Sequence, residues 1–179
     1  MKLGTYEIPE LRLVPNALTD VKKIYDVVKT EAIGTKEIGN VFGYKQTSTG
    51  IFYRRMSTML SYGLLSQLSR STYKVTDLAI ALSYPEPDKE QLFKNKAILN
   101  VPLWNEIFKK FGKNPPMENF WIQLKNITGI EPVEAQKVQN LVRKWYLDDI
   151  ALVTMDPLGH PIMDDAISKG NIYDDKHLR

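Results

Sequence analysis

Cysteine is missing from all 179 residues, which excludes disulfides, thiolate metal sites and cysteine nucleophiles together. Histidine is scarce: His160 and His177 are the two present, both near the end of the sequence. No run of 18 apolar residues occurs, so no membrane span is expected. Residues 1–14 contain Lys2, Glu7, Glu10 and Arg12 and no apolar stretch, so they do not read as a signal peptide. No glycine-rich phosphate loop appears. The most informative absence is of acid. From Ile38 to Thr76 there is no Asp or Glu, although the chain holds 21 of them, while Lys45, Arg54, Arg55, Arg70 and Lys74 all fall in that stretch. A surface free of carboxylates and built around one short helix is what a phosphate backbone requires.

Against these absences stands an ordinary globular composition, 43% apolar and 25% charged. The formal net charge of +3 is unevenly placed. Residues 1–87 hold 11 Lys+Arg against 8 Asp+Glu, and residues 88–179 hold 13 against 13, so the excess belongs to the first half. That excess fits nucleic acid as a partner without requiring it. A soluble cytoplasmic protein is the expectation.

Residues 1–17, with Pro9 and Pro15, read as an extended lead-in. Thr19 can cap a helix to about Glu31, with Val21, Ile24, Tyr25 and Val28 on one stripe and Gly34 as its stop. Thr35 can cap a short second helix through Phe42, closed by Gly43. After a polar turn, Thr47 or Ser48 can cap a third helix to about Tyr62. Phe52, Met56, Met59 and Leu60 form its apolar face. Thr47, Arg54, Thr58 and Ser61 lie opposite, with Tyr53 and Ser57 at the margin. Residues 64–68 and 72–76 read as two strands, and Thr76 can cap a helix to Leu82. Pro85-Glu86-Pro87-Asp88 reads as a domain boundary, followed by helices at about 89–99, 102–111, 117–127 and 132–150. A polar tail occupies 156–179.

Over residues 18–84 this order resembles the winged helix-turn-helix superfamily, and locally the prokaryotic transcription regulators. The phrases that carry the resemblance are Leu60-Ser61-Tyr62-Gly63-Leu64-Leu65 at the end of the third helix and Tyr73-Lys74-Val75-Thr76 at the close of the wing. The wing departs from the pattern in having no Gly at its turn and a single arginine, Arg70, at its tip. The implied fold is mainly α: an N-terminal winged helix-turn-helix with a small β-ribbon wing, then a C-terminal helical domain over 89–155. A second winged-helix-like unit is left open there, since 102–152 repeats helix, helix, longer helix.

The resemblance implies that helix 48–62 enters the major groove with its N-terminal residues at base edges. The DNA-contacting residues would be Lys45, Gln46, Thr47, Ser48, Thr49, Tyr53, Arg54 and Ser57. Arg70 and Lys74 of the 69–74 wing would meet backbone phosphate. Arg55 lies nearer the buried side and is expected to brace the fold.

No catalytic residue, metal site or cofactor follows from the sequence. His160 with Asp164 or Asp165 makes a poor metal set, and the doublets Asp148-Asp149, Asp164-Asp165 and Asp174-Asp175 read as solvated surface rather than nuclease carboxylates. The expected function is duplex-DNA binding as a transcription regulator. It is expected to act as a homodimer, because a symmetric operator needs a symmetric protein. The alternative is a winged-helix module for protein–protein contact in a larger assembly.

Overall fold

The computed structural model describes residues 1–163 and is mainly helical with a small sheet. The lead-in is not an extended strand. β1 (Lys2–Leu3) and β2 (Tyr6–Glu7) pair antiparallel, Leu3 opposite Tyr6. Gly4 makes the turn at φ +61°, and a Cβ there would stand 2.5 Å from the Thr128 carbonyl oxygen. An irregular turn over Leu13–Ala17 follows. The prolines suggested open chain, but Leu3, Ile8, Leu13 and Ala17 are all buried, and burying them folds the segment back on the core.

α1 (Leu18–Val28) buries Val21 and Ile24 as its spacing predicts. It stops at Lys29, which takes φ +53° and donates its amide to the Tyr25 carbonyl, rather than at Gly34. Gly34 belongs instead to a strand, β3 (Ile33–Gly34). α2 (Thr35–Val41) and α3 (Gly50–Ser61) follow, then β4 (Leu65–Ser69), β5 (Thr72–Val75) and α4 (Asp77–Ser83). The three strands form an antiparallel sheet in the order β3-β5-β4, with Ile33 opposite Tyr73 and Gln67 opposite Tyr73 on the other side. The register slips between Gln67 and Ser69, so Leu68 bulges out and is exposed. Thr76 caps α4 by accepting the Ala79 amide at 3.2 Å.

The second half is α5 (Glu90–Leu99), α6 (Pro102–Phe111), α7 (Phe120–Thr128) and α8 (Pro132–Ile150). Pro102 and Pro132 open their helices, where a missing N–H costs nothing. Residues after α8 return to α5. Buried Asn95 donates to the carbonyls of Thr154 and Ile162, both at 2.9 Å, and accepts the Thr154 amide. Pro85–Asp88 interrupts the helices but not the core, since one cluster of buried side chains runs from Leu3 to Val153.

The polar centre of that core is Asp149, 1% exposed, in place of the solvated carboxylate expected of an Asp-Asp doublet. It sits on the stripe of Val142, Tyr146 and Ile150, which faces inward. Its Oδ2 accepts from Tyr62 Oη at 2.5 Å, Trp104 Nε1 at 2.9 Å and Arg12 Nη1 at 3.1 Å. Arg12 also donates to the Trp145 and Pro9 carbonyls and lies over the Trp145 ring. Burial pushes the Asp149 carboxyl above the ordinary aspartate range, opposed by Arg12, Tyr62 and Trp104. Burial and the neighbouring carboxylate push the Tyr62 phenol up in turn.

Removing Arg12 leaves this carboxylate without its countercharge. Arg12→Ala should cost about 3 to 5 kcal/mol in chemical denaturation at neutral pH. A folded-state pKa above the unfolded one gives stability that is complete at acid pH and is lost as pH rises through the folded value. Without Arg12 that value climbs further, so the variant's deficit should narrow as pH falls toward about 4. A deficit independent of pH would show that Arg12 acts through packing alone.

Candidate nucleic-acid interface

Residues Phe42–Thr49 connect α2 to α3 and carry half of the expected contacts. Three rings frame the turn: Phe42 and Tyr44 meet edge-on at 6.4 Å between centroids, Tyr44 and Phe52 at 5.8 Å. Arg55 stacks over Phe42 and Tyr44 at 5.0 and 5.5 Å and lies 3.8 Å from Asp20 Oδ1, so it braces the turn as its position near the buried face implies. On this frame Lys45, Gln46, Ser48 and Thr49 are exposed. The helix cap is Thr49, whose Oγ1 accepts the Phe52 amide at 3.3 Å, and not Thr47 or Ser48. Thr47 is half-buried against Gly39 of α2. A Cβ added at Gly39 would stand 2.5 Å from Thr47 Cγ2.

α3 divides lengthwise. Its first two turns present Tyr53, 61% exposed, and Arg54 to solvent. Its last two turns are covered by the lead-in. Ser57, 9% exposed, donates to Glu7 Oε1 at 2.9 Å. The Leu11 amide donates to buried Thr58 at 3.4 Å, and Tyr62 Oη reaches the Leu11 carbonyl at 3.2 Å. Ser57 and Thr58 are therefore not free on the polar face, because the wheel of one helix contains no information about the segment laid across it. The C-terminal end of α3 is held from the link between α5 and α6: Asn100 Nδ2 donates to the Tyr62 carbonyl at 3.1 Å, and Gly63 at φ +75° leaves room for that amide.

Between α3 and the β4–β5 ribbon runs a groove of about 1080 Å³. It brings together Thr47, Tyr53, Ser57 and Arg70 of the predicted set, with Gln67 and Tyr73 from the ribbon. Gln67 Nε2 donates to the Arg70 carbonyl at 3.3 Å and fixes the ribbon tip. Lys74 is exposed but alternates with the groove-lining Tyr73, which places it on the other face of the ribbon. Lys45, Gln46, Ser48, Thr49 and Arg54 lie outside the groove lining, on the turn and the outer side of α3. The sequence reading missed one groove residue of consequence, Glu7, which reaches α3 from 50 positions away.

Among the described residues no group of three or more His, Asp or Glu stands together as a metal-holding set. His160 lies in a turn where its amide donates to Asp156 Oδ1 at 2.9 Å. Asp164, Asp165, Asp174, Asp175 and His177 lie outside the described residues. No helix among those described is long and apolar enough to cross a membrane. The chain matches no protein-family model, no curated protein and no solved structure.

The Gly39–Thr47 contact fixes the turn that carries the candidate residues. Gly39→Ala should destabilise by about 1 to 3 kcal/mol through overpacking, despite the higher helix propensity of alanine. Adding Thr47→Ser removes the Cγ2 in contact, and the double variant should recover most of that loss in a denaturation double-mutant cycle. Additive losses would mean that the two residues do not act through this contact.

Proposed function

We propose that this chain is a duplex-DNA-binding protein whose first half is a winged helix-turn-helix and whose role is the regulation of transcription. The observation that carries the proposal is the exposed, acid-free surface of the α2–α3 turn and the first half of α3. Lys45, Gln46, Ser48, Thr49, Tyr53 and Arg54 are all solvent-facing there on a braced frame. The order α1-β3-α2-α3-β4-β5, with the strands arranged β3-β5-β4, supports the winged-helix reading. In it the exposed turns of α3 enter the major groove, and Arg70 at the ribbon tip meets the backbone. The role is binding rather than catalysis, in the cytoplasm. Two copies would double a modest set of cations, and the exposed Val133 and Leu141 of α8 offer part of a face for that pairing.

A second reading has its own support. Ile51 at the start of α3 and Leu68 at the ribbon bulge are each 56% exposed, and exposed apolar side chains of this size suit a protein partner. Binding to a random duplex across a salt series separates the readings. Wild type should lose affinity steeply with salt, and Arg54→Ala/Arg70→Ala should lower the log–log slope by about two units. Lys74→Ala, on the other ribbon face, should lower it less than either arginine alone. Absence of salt-dependent binding at low ionic strength would favour the protein-contact reading, and cleavage of the duplex on adding magnesium would overturn the non-catalytic role.

A further inference from the structure

The groove between α3 and the ribbon is lined largely by uncharged polar side chains, and its two charges are in different states. Glu7 is already satisfied: its Oε1 lies 3.4 Å from the Met1 ammonium and also accepts from Ser57 at 2.9 Å. The Arg70 guanidinium has no partner among the described residues, since Gln67 engages only the carbonyl of that residue. The hydroxyls of Thr35, Ser57 and Ser61 all donate inside the protein, so each keeps only acceptor capacity. The amides of Gln67 and Asn100 each spend one N–H and keep a second N–H and an oxygen. The apolar floor is thin, since Phe52, Met56 and Tyr73 are only 3%, 5% and 9% exposed. Tyr53, at 61%, is the ring left open.

We propose that this groove is a binding site for a polyhydroxylated monocarboxylate, a sugar acid. Its volume of about 1080 Å³ admits a small molecule, since such sites run to about 1,000 Å³. An unengaged guanidinium presents its fork of N–H groups to a carboxylate bidentately. A phosphate dianion would bring a second negative charge with no second cation to meet it. Arg70 is the one cation among the described residues lining the groove, and Lys74 lies on the other face of the ribbon. A hydrocarbon body would cover little apolar surface, because the floor is buried already. Hydroxyl groups suit the walls better. They donate to the three spent hydroxyls and accept from the two amides. The C–H face of a pyranose lies against the open ring of Tyr53. Nothing in this site requires duplex, so the inference stands apart from the DNA-binding reading.

The test is NMR titration of the isotope-labelled full chain with D-glucuronate, D-galacturonate and D-gluconate, against D-glucuronamide and inorganic phosphate. Wild type is compared with Arg70→Gln, Tyr53→Ala and Lys125→Gln. Both altered groove residues are exposed, so the fold should survive each change. At least one sugar acid should give saturable shifts clustered at Tyr53, Gln67 and Arg70. Arg70→Gln should weaken that binding roughly ten- to a hundredfold, as loss of a charge-assisted pair does, and leave the response to D-glucuronamide as it was. Tyr53→Ala should weaken it a few-fold. Lys125→Gln removes an exposed charge on α7 and should change nothing. The inference is overturned if none of the three acids gives a saturable shift at millimolar concentration. It is equally overturned if Arg70→Gln and Lys125→Gln weaken binding alike, or if inorganic phosphate binds at these residues as tightly as the acids. Duplex is absent from every arm, so these outcomes are separate from those of the salt series.

Discussion

One carboxylate oxygen accepts from three parts of the chain at once. Asp149 Oδ2, on α8, takes the phenol of Tyr62 at the end of α3, the indole of Trp104 on α6 and the guanidinium of Arg12 in the lead-in. A buried charge is tolerated only when its countercharge and hydrogen bonds are well placed, and removing any one leaves the rest in an apolar interior. The two halves of the molecule therefore meet around a polar point as well as through apolar area. Apolar packing alone would allow neighbouring registers of the lead-in. Three donors converging on one atom select a single arrangement.

That selection reaches the candidate interface through α3. The helix is held at its end by Tyr62 and by Asn100, over its middle by Glu7 and Leu11, and at its start by the Thr49 cap and the ring cluster under Arg55. What remains open is a short stretch with little freedom to rearrange. Groups held before binding lose less conformational entropy on binding, so a small contact set can still discriminate.

The helices of the second half and the ribbon were legible because each follows a period with a clear stop: Gly63 after α3, Pro102 and Pro132 at the start of α6 and α8. Arg55 was also legible, because its angle on the wheel places it beside the apolar face. Three features were not. β3 is two residues long and exists only through its pairing with β5, which no local pattern encodes. Ser57 and Thr58 look solvent-facing until residues 7–11 cover them. Asp149 did carry a signal, three residues after buried Tyr146 and seven after buried Val142, but the doublet with exposed Asp148 disguised it. Each failure lies at a contact distant in sequence, where tertiary placement outweighs local propensity.

The contact between Gly39 and Thr47 adds a fixed position to a connecting turn that the Phe42 and Tyr44 rings and the Thr49 cap also hold, and leaves three positions between them that can drift. Lys45, Gln46 and Ser48 are exposed, whereas Thr47 is half-buried against a helix with no space for a further Cβ. A lineage carrying this fold could exchange the first three without losing the scaffold. A side chain at residue 39 would have to arrive together with a smaller one at residue 47. Among related chains residues 45, 46 and 48 should then vary faster than the paired positions 39 and 47.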